Sequence, residues 1–420
     1  MTAFFEILRL ELRRLSRTRT VWLLASACVA WMFLMPHIVK SDGTASGEHE
    51  MLVKCSLGGV FAILAICLAS SGAATLARER EEKRLQLEKT RPAARISLAL
   101  ARMCALSLSG AAIIALCSAI LAFKVDTARP CSHVLYPQME SIDIEAARMY
   151  DYYMADPETP PEIKATKRAT LMRILRQGAM DHYITINTNE TASWNFALDG
   201  KSSLAPLSVR LRFTNDFDLR DDVKGVFAIA SSSGRIENIT QAIVTVPLAA
   251  ASAEQANPPQ TLTFTNEGKS TLMLRPRRDI QLLVEADSFA ANLVRSAIEI
   301  FAMLSAMIGF AVFLGAGLGR SVAVFTMMAF MFVSVASDDV LNQYPDQFET
   351  DKVDRIGLAI TRAVDFAARP VASLRPVSAL AADECIETGE LAMALAVDAF
   401  MFPVLFALLS ALAIELRRQE

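Results

Sequence analysis

The chain has 420 residues, of which 53% are hydrophobic and 21% charged, with a formal net charge of −3. Without a cationic surplus it does not read as a general nucleic-acid binder. The apolar residues gather in long runs, and a bilayer-crossing helix needs about 20 mostly apolar residues, with a range of roughly 17 to 25.

The first element is FFEILRLELRRLS, Phe4 to Ser16. Phe4, Ile7, Leu8, Leu12 and Leu15 recur at helical spacing, while Glu6, Arg9, Arg13 and Arg14 fall largely on the other side. Residues 1–19 therefore predict an amphipathic helix lying flat in the headgroup region of a membrane. A basic flank that only fixes topology would not need that apolar spacing.

Six apolar windows follow: Thr20 to Val39, Met51 to Ala77, Ser97 to Phe123, Ser296 to Gly319, Ser321 to Ser337 and Leu391 to Ile414. The fifth is at the short limit. They predict a polytopic α-helical membrane protein, because a spanning helix satisfies its own backbone hydrogen bonds. Residues 20–123 would hold spans one to three, 293–337 spans four and five, and 391–420 span six with a tail.

Lys and Arg near span ends set the orientation. Arg9, Arg13, Arg14, Arg17 and Arg19 precede span one, Arg320 lies between spans four and five, and Arg417 and Arg418 are in the tail. Between spans two and three comes a dense charged stretch with Arg78, Arg80, Lys83, Arg84, Lys89, Arg91 and Arg95. Six spans put all four regions on one side, so both termini are expected in the cytoplasm. Nothing in the first apolar run reads as a cleavable signal peptide.

On the opposite side the segment 124–292 is long enough for a domain. Its portion 141–180 reads helical, through EAARMYDYYMA and PEIKATKRATLMRILRQG, and 181–287 reads as strands. In PLSVRLRFT, Leu207, Val209, Leu211 and Phe213 alternate with polar residues, the period of a half-buried strand. HYITINT, SWNFAL, GVFAIAS, AIVTVP, TLTFTN, TLMLR and DIQLLVEA behave similarly, with LDGKSS and SSSGR read as turns between strands. Eight short strands predict an extracytoplasmic β-sandwich-like domain. The outer segment 338–390 holds the mildly amphipathic RIGLAITRAVDFAAR, read as a helix at the membrane surface or re-entering it.

Several chemical motifs fail. NEGKST has Thr263, and LDGKSS has Asn195, where a phosphate-binding loop needs its first Gly. His37, His49, His133 and His182 have no metal-ligand spacing, and neither HExxH nor GxSxG occurs. Asn189-Glu-Thr and Asn238-Ile-Thr match the glycosylation sequon, which matters only in a secretory-pathway protein. No catalytic, cofactor or metal residues are expected, and the chain does not read as an enzyme by itself.

Arg78-Glu79-Arg80-Glu81, Leu85, Leu87, Thr90 and Pro92 form an R-E-x-E-x-x-x-L-x-L-x-x-T-x-P pattern. This pattern, with the basic amphipathic N-terminus and six spans, resembles the type-2 ABC export permeases. The likeness covers about 15 residues strongly and the topology loosely. Lys83-Arg84 stands where the family often has Gly-Thr, and the 124–292 insert departs from the short loop of many members.

The resemblance implies that residues 78–91 form a coupling helix, with Arg78, Glu79, Glu81, Arg84 and Leu85 contacting a separate ABC ATPase that holds ATP and Mg. It also implies a second permease subunit and an inner, plasma-membrane location in a bacterium. Glu79, Glu81, Glu82 and Glu88 fit this role better than a loop kept only for topology, which needs Lys and Arg. The substrate is left open. So is an alternative class, a non-transporting subunit whose β domain senses or recruits an envelope partner.

Asp398 and Glu299 are candidates for an outer vestibule, since ionisable groups in spans usually face protein or water-filled space; each has local pairing as its alternative. Gly315 and Gly319, four apart, read either as subunit contact or as packing within the chain. Cys28, Cys55, Cys67, Cys104 and Cys117 read as packing residues, while Cys131 and Cys385, both outside, are a candidate disulfide in an oxidising compartment.

Overall fold

The computed structural model describes residues 2–38, 45–81, 95–140, 142–157, 159–164, 166, 168–180, 182–196, 207–212, 224–229, 232–236, 243–248, 260–268, 271–343 and 375–416. The described helices are α1 Thr2–Arg17, α2 Arg19–Ile38, α3 Ala45–Glu81, α4 Arg95–Lys124, α5 Ile142–Ala155, α6 Arg168–Met180, α7 Phe289–Gly317, α8 Arg320–Gln343, α9 Arg375–Ala381 and α10 Thr388–Leu416. Single helical turns occupy Pro161–Lys164 and Pro276–Asp279. The strands are β1 Pro130–Leu135, β2 Ile184–Ile186, β3 Thr191–Phe196, β4 Leu207–Arg212, β5 Gly225–Ile229, β6 Ser232–Ile236, β7 Ile243–Leu248, β8 Gln260–Asn266, β9 Leu272–Leu274 and β10 Ile280–Ser288. The chain divides into one unit of residues 1–129 and 288–420 and another of residues 130–287.

Among the described residues of the first unit, five helices are long and apolar enough to cross a membrane: α2, α3, α4, α7 and α10. That is the build of a multi-pass membrane protein. The expected window Ser321 to Ser337 falls on α8, whose apolar portion Arg320–Phe332 is shorter than the other five. RIGLAITRAVDFAAR lies outside the described residues.

The most buried span is α7, with 67% of its apolar window covered, against 22% for α2 and 17% for α10. It is therefore the centre of the bundle, packing on α3, α4 and α10. Ser288 caps its start, accepting a hydrogen bond from the Ala291 N–H at 3.4 Å, which satisfies one of the donors a helix leaves open at its first turn. Outward-facing Trp22, Phe33, Phe325, Phe332 and Phe400 remain exposed, as side chains bathed by lipid can be.

Close approach sets the α3–α7 contact. A Cβ on Gly315 would collide with the backbone oxygen of Ala73, so glycine is the residue that lets these two backbones touch. Around Gly319 nothing lies within 4 Å. Of the two glycines, Gly315 serves packing within the chain.

The second unit has a four-stranded sheet in the order β1-β10-β4-β7, another in the order β3-β8-β5-β6, and the pair β2-β9. Register follows the side-chain alternation: Val209 faces Leu282 across β4-β10 and Val246 across β4-β7. Val209, Leu211, Val246 and Leu282 from one sheet share a hydrophobic core with Trp194, Phe196, Phe227 and Phe264 from the other. Phe227 and Phe264 lie 4.6 Å apart between ring centroids, a favourable aromatic pairing. Beside the sheets α5 and α6 pack through Ala146, Leu171 and Leu175.

One turn assignment is corrected. SSSGR does not lie wholly in a turn, because Ser232–Ile236 is the edge strand β6, paired antiparallel with β5 so that Gly234 faces Phe227. Polar Ser-Ser-Gly is a turn signal by composition. Here Gly234 supplies room instead, since a Cβ at that position would stand 2.7 Å from Val246 Cγ1.

Candidate functional site

Arg78 is the last residue of the apolar span of α3, and the helix continues through Glu79 to Glu81. With 37 residues, α3 is about 55 Å long at 1.5 Å per residue. A hydrocarbon core is about 30 Å thick, so the helix must project beyond it. Arg78 is exposed; Arg84 and Leu85 lie outside the described residues.

Near that end of α3 sits a charged contact that the sequence does not reveal. Arg102 of α4 is only 2% exposed, and its Nε donates to Glu11 Oε1 of α1 at 3.4 Å. Arg14 approaches the other Glu11 oxygen at 3.7 Å. Thus α1 is fastened to the bundle by charge as well as by Leu15, which packs on the core. A cleft of about 420 Å³ opens here, lined by these charged groups and by α2, α3 and α4.

At the opposite end of α3 and α7 a second polar group clusters. Asn292 is fully buried, donates through Nδ2 to the Glu384 carbonyl at 2.7 Å and accepts from the Ile386 N–H at 2.9 Å. Ser296 Oγ donates to the Pro376 carbonyl at 3.1 Å. His49 Nε2 comes within 3.2 Å of Asp383 Oδ1 without hydrogen-bond alignment, and its ring meets Phe289 edge-on at 5.2 Å. Asp383 adopts φ 54°, a left-handed conformation that Asp tolerates in turns. Together these contacts clamp the segment after α9 onto the starts of α3 and α7, satisfying backbone groups that burial would otherwise penalise.

Asp398 lies in a π-helical stretch of α10, Leu395–Met401. Such bulges are frequent at functional sites. Glu299 of α7 is within electrostatic reach of Asp398, Glu390 and Arg375, and Arg375 bonds Glu390 at 3.0 Å.

Cys28, Cys55, Cys67, Cys104 and Cys117 are free thiols. Cys131, buried in β1, and Cys385 are each disulfide-bonded. Among the described residues no group of His, Cys, Asp and Glu could hold a metal ion. Arg102 stands out in the sequence as a cation within the apolar window Ser97 to Phe123, but its partner Glu11 does not, its only local signal being an acid among arginines. Asn292 offered none, since its partners lie about 90 residues away.

Compared with known proteins, the chain matches no protein-family model, no curated protein and no solved structure.

Proposed function

We propose that the chain is the transmembrane permease subunit of an ABC exporter, transmitting ATP hydrolysis on a separate subunit to the spans. The observation that carries this reading is the continuation of α3 from its apolar span into Arg78, Glu79 and Glu81. A stiff charged helix leaving the membrane is a lever, and mixed charge signs supply specific pairing at a subunit surface. In this reading α8 is the fifth of six spans and both termini are cytoplasmic. Segment 78–91 docks on the ATPase, and residues 130–287 form a β-sandwich-like domain outside. Asp398 and Glu299 border an outer vestibule, and a second permease subunit covers exposed faces of the bundle. The inner membrane of a bacterium is the setting.

Co-purification of the ATPase tests the proposal. Glu81→Lys leaves insertion intact, because added positive charge on that side agrees with the topology rule. It weakens docking, since a mispaired charge at a contact costs a few kcal/mol. Leu85→Asp acts likewise by placing a carboxylate in an apolar foothold. Wild-type ATPase retention and hydrolysis in both variants would refute coupling through this segment.

A non-transporting subunit is favoured by one observation, the self-contained core of residues 130–287. A domain folded around its own core can recruit or sense an envelope partner while the ATPase drives signalling. Transport requires substrate-stimulated hydrolysis. Signalling requires hydrolysis that survives without cargo but loses its effect when the β unit is removed.

A further inference from the structure

We propose that the cleft between α1 and the neighbouring ends of α2, α3 and α4 binds one anionic glycerophospholipid of the membrane. Its phosphate would lie on Arg14 and Arg102. The cleft, about 420 Å³, is within the range of small-molecule sites, about 300–1,000 Å³. Its charged lining is Glu11, Arg14 and Arg102, two cations against one anion. Arg102 is 2% exposed, so it is held in place and largely desolvated. Placed so, an arginine fork favours a phosphate in the cleft.

Hydroxyls narrow the headgroup. Thr18 Oγ1 donates to Leu15 O at 2.7 Å, Ser71 Oγ to Cys67 O at 2.7 Å, and Thr75 Oγ1 to Ser71 O at 2.6 Å. Together with Thr20, all three line the cleft. With their protons given to helix carbonyls, they face a ligand as acceptors. A headgroup that joins one negative phosphate to hydroxyl donors fits both requirements, and that is the chemistry of phosphatidylglycerol. Phosphatidylcholine offers no donor and no net charge.

The rest of the lining argues for a lipid over a soluble phosphate. Val21, Leu23, Leu24, Ile63, Leu68 and Leu106 form apolar walls. A second cleft of about 730 Å³ flanks α1 on its other side, lined largely by residues such as Phe5, Leu8, Trp22 and Leu116. Val21 borders both clefts. Acyl chains have apolar surface to follow on either flank of α1, which a free phosphate would not use. The amphipathic helix is then more than a float on the membrane: it closes over a lipid that ties it to the spans.

The test uses the full-length protein in phosphatidylcholine nanodiscs doped with phosphatidylglycerol, with retained lipid counted by native mass spectrometry. Wild type retains one phosphatidylglycerol in preference to phosphatidylcholine. Arg14→Gln lowers that retention about fivefold, the worth of one basic group near an anionic lipid. Arg102→Gln does the same where it folds. Arg17→Gln, on the same helix and outside the cleft, retains the lipid as wild type does. Equal retention of the two lipids by wild type overturns the proposal. So does equal loss in Arg17→Gln and Arg14→Gln, which marks diffuse surface charge. Displacement by soluble glycerophosphoglycerol as readily as by the lipid also overturns it, since the site would then bind a headgroup ion alone. No ATPase or transported cargo enters this measurement, so its outcome is separate from that of the coupling test.

Discussion

Glu11 and Arg102 meet at 3.4 Å although 91 positions separate them in the chain. One sits on the N-terminal amphipathic helix and the other near the start of α4, so this ion pair, with the packing of Leu15, fastens α1 to the bundle. Removing one partner of a buried pair costs about 3–5 kcal/mol, because the remaining charge stays desolvated. Glu11→Ala is expected to lower thermal stability in nanodiscs by an amount of that order. Replacing both partners with apolar residues, Glu11→Leu with Arg102→Met, is expected to recover most of it. If the double variant is no more stable than the single, the pair is not the main fastening of α1.

Legibility in the sequence followed the range of the interaction. The alternation in PLSVRLRFT marked β4, where Val209 and Leu211 are fully buried, because strand period is a property of neighbours two apart. Five of the six apolar runs fall on helices long enough to cross a membrane, because hydropathy too is a property of adjacent residues. SSSGR misled, since the need for Gly234 is set by Val246 on another strand. HYITINT gave only the three-residue strand Ile184–Ile186, its pairing limited by the equally short β9. β1, beginning at Pro130, has little alternation and went unmarked. Arg102 was visible as an anomaly, a cation inside a span, but its partner was not, and neither were the contacts of Asn292. Those are decided by folding, between elements that no local pattern relates.

Gly315 and Gly319 have the same spacing signal and different surroundings. Gly315→Ala drives a methyl into the Ala73 backbone, which cannot turn aside as a side chain could. The α3–α7 contact must then open, and overpacking of this kind typically costs about 1–3 kcal/mol. Gly319→Ala meets nothing within 4 Å and is expected to leave stability unchanged. Thermal unfolding of the two variants side by side is the measurement. Equal behaviour would remove the assignment of Gly315 to intrachain packing.

Both cysteines outside the expected spans are oxidised, while five others are free. Peptide mapping by mass spectrometry without reductant should recover both in cross-linked peptides and the other five as free thiols. Recovery of Cys131 or Cys385 as a free thiol would refute its oxidation.

Asn292 brackets Cys385 with two hydrogen bonds, one to the residue before it and one from the residue after it. The amide is uniquely suited, since it donates and accepts at one point and is fully buried. Asn292→Leu keeps the volume and strands both the Glu384 carbonyl and the Ile386 N–H. Each unsatisfied buried group costs about 1–3 kcal/mol, so the expected loss is about 2–6 kcal/mol. Ser296→Ala removes one hydroxyl donor from the Pro376 carbonyl and should cost about 1 kcal/mol. The Ser296 bond holds α9 itself and the Asn292 bonds hold the segment after it, so limited proteolysis should cleave between 381 and 388 faster in Asn292→Leu than in Ser296→Ala. It should do so before global unfolding is detectable by tryptophan fluorescence. If Asn292→Leu unfolds no earlier than wild type and resists protease equally, the segment is held by its apolar residues, Val377, Leu380 and Ile386, and the amide is dispensable.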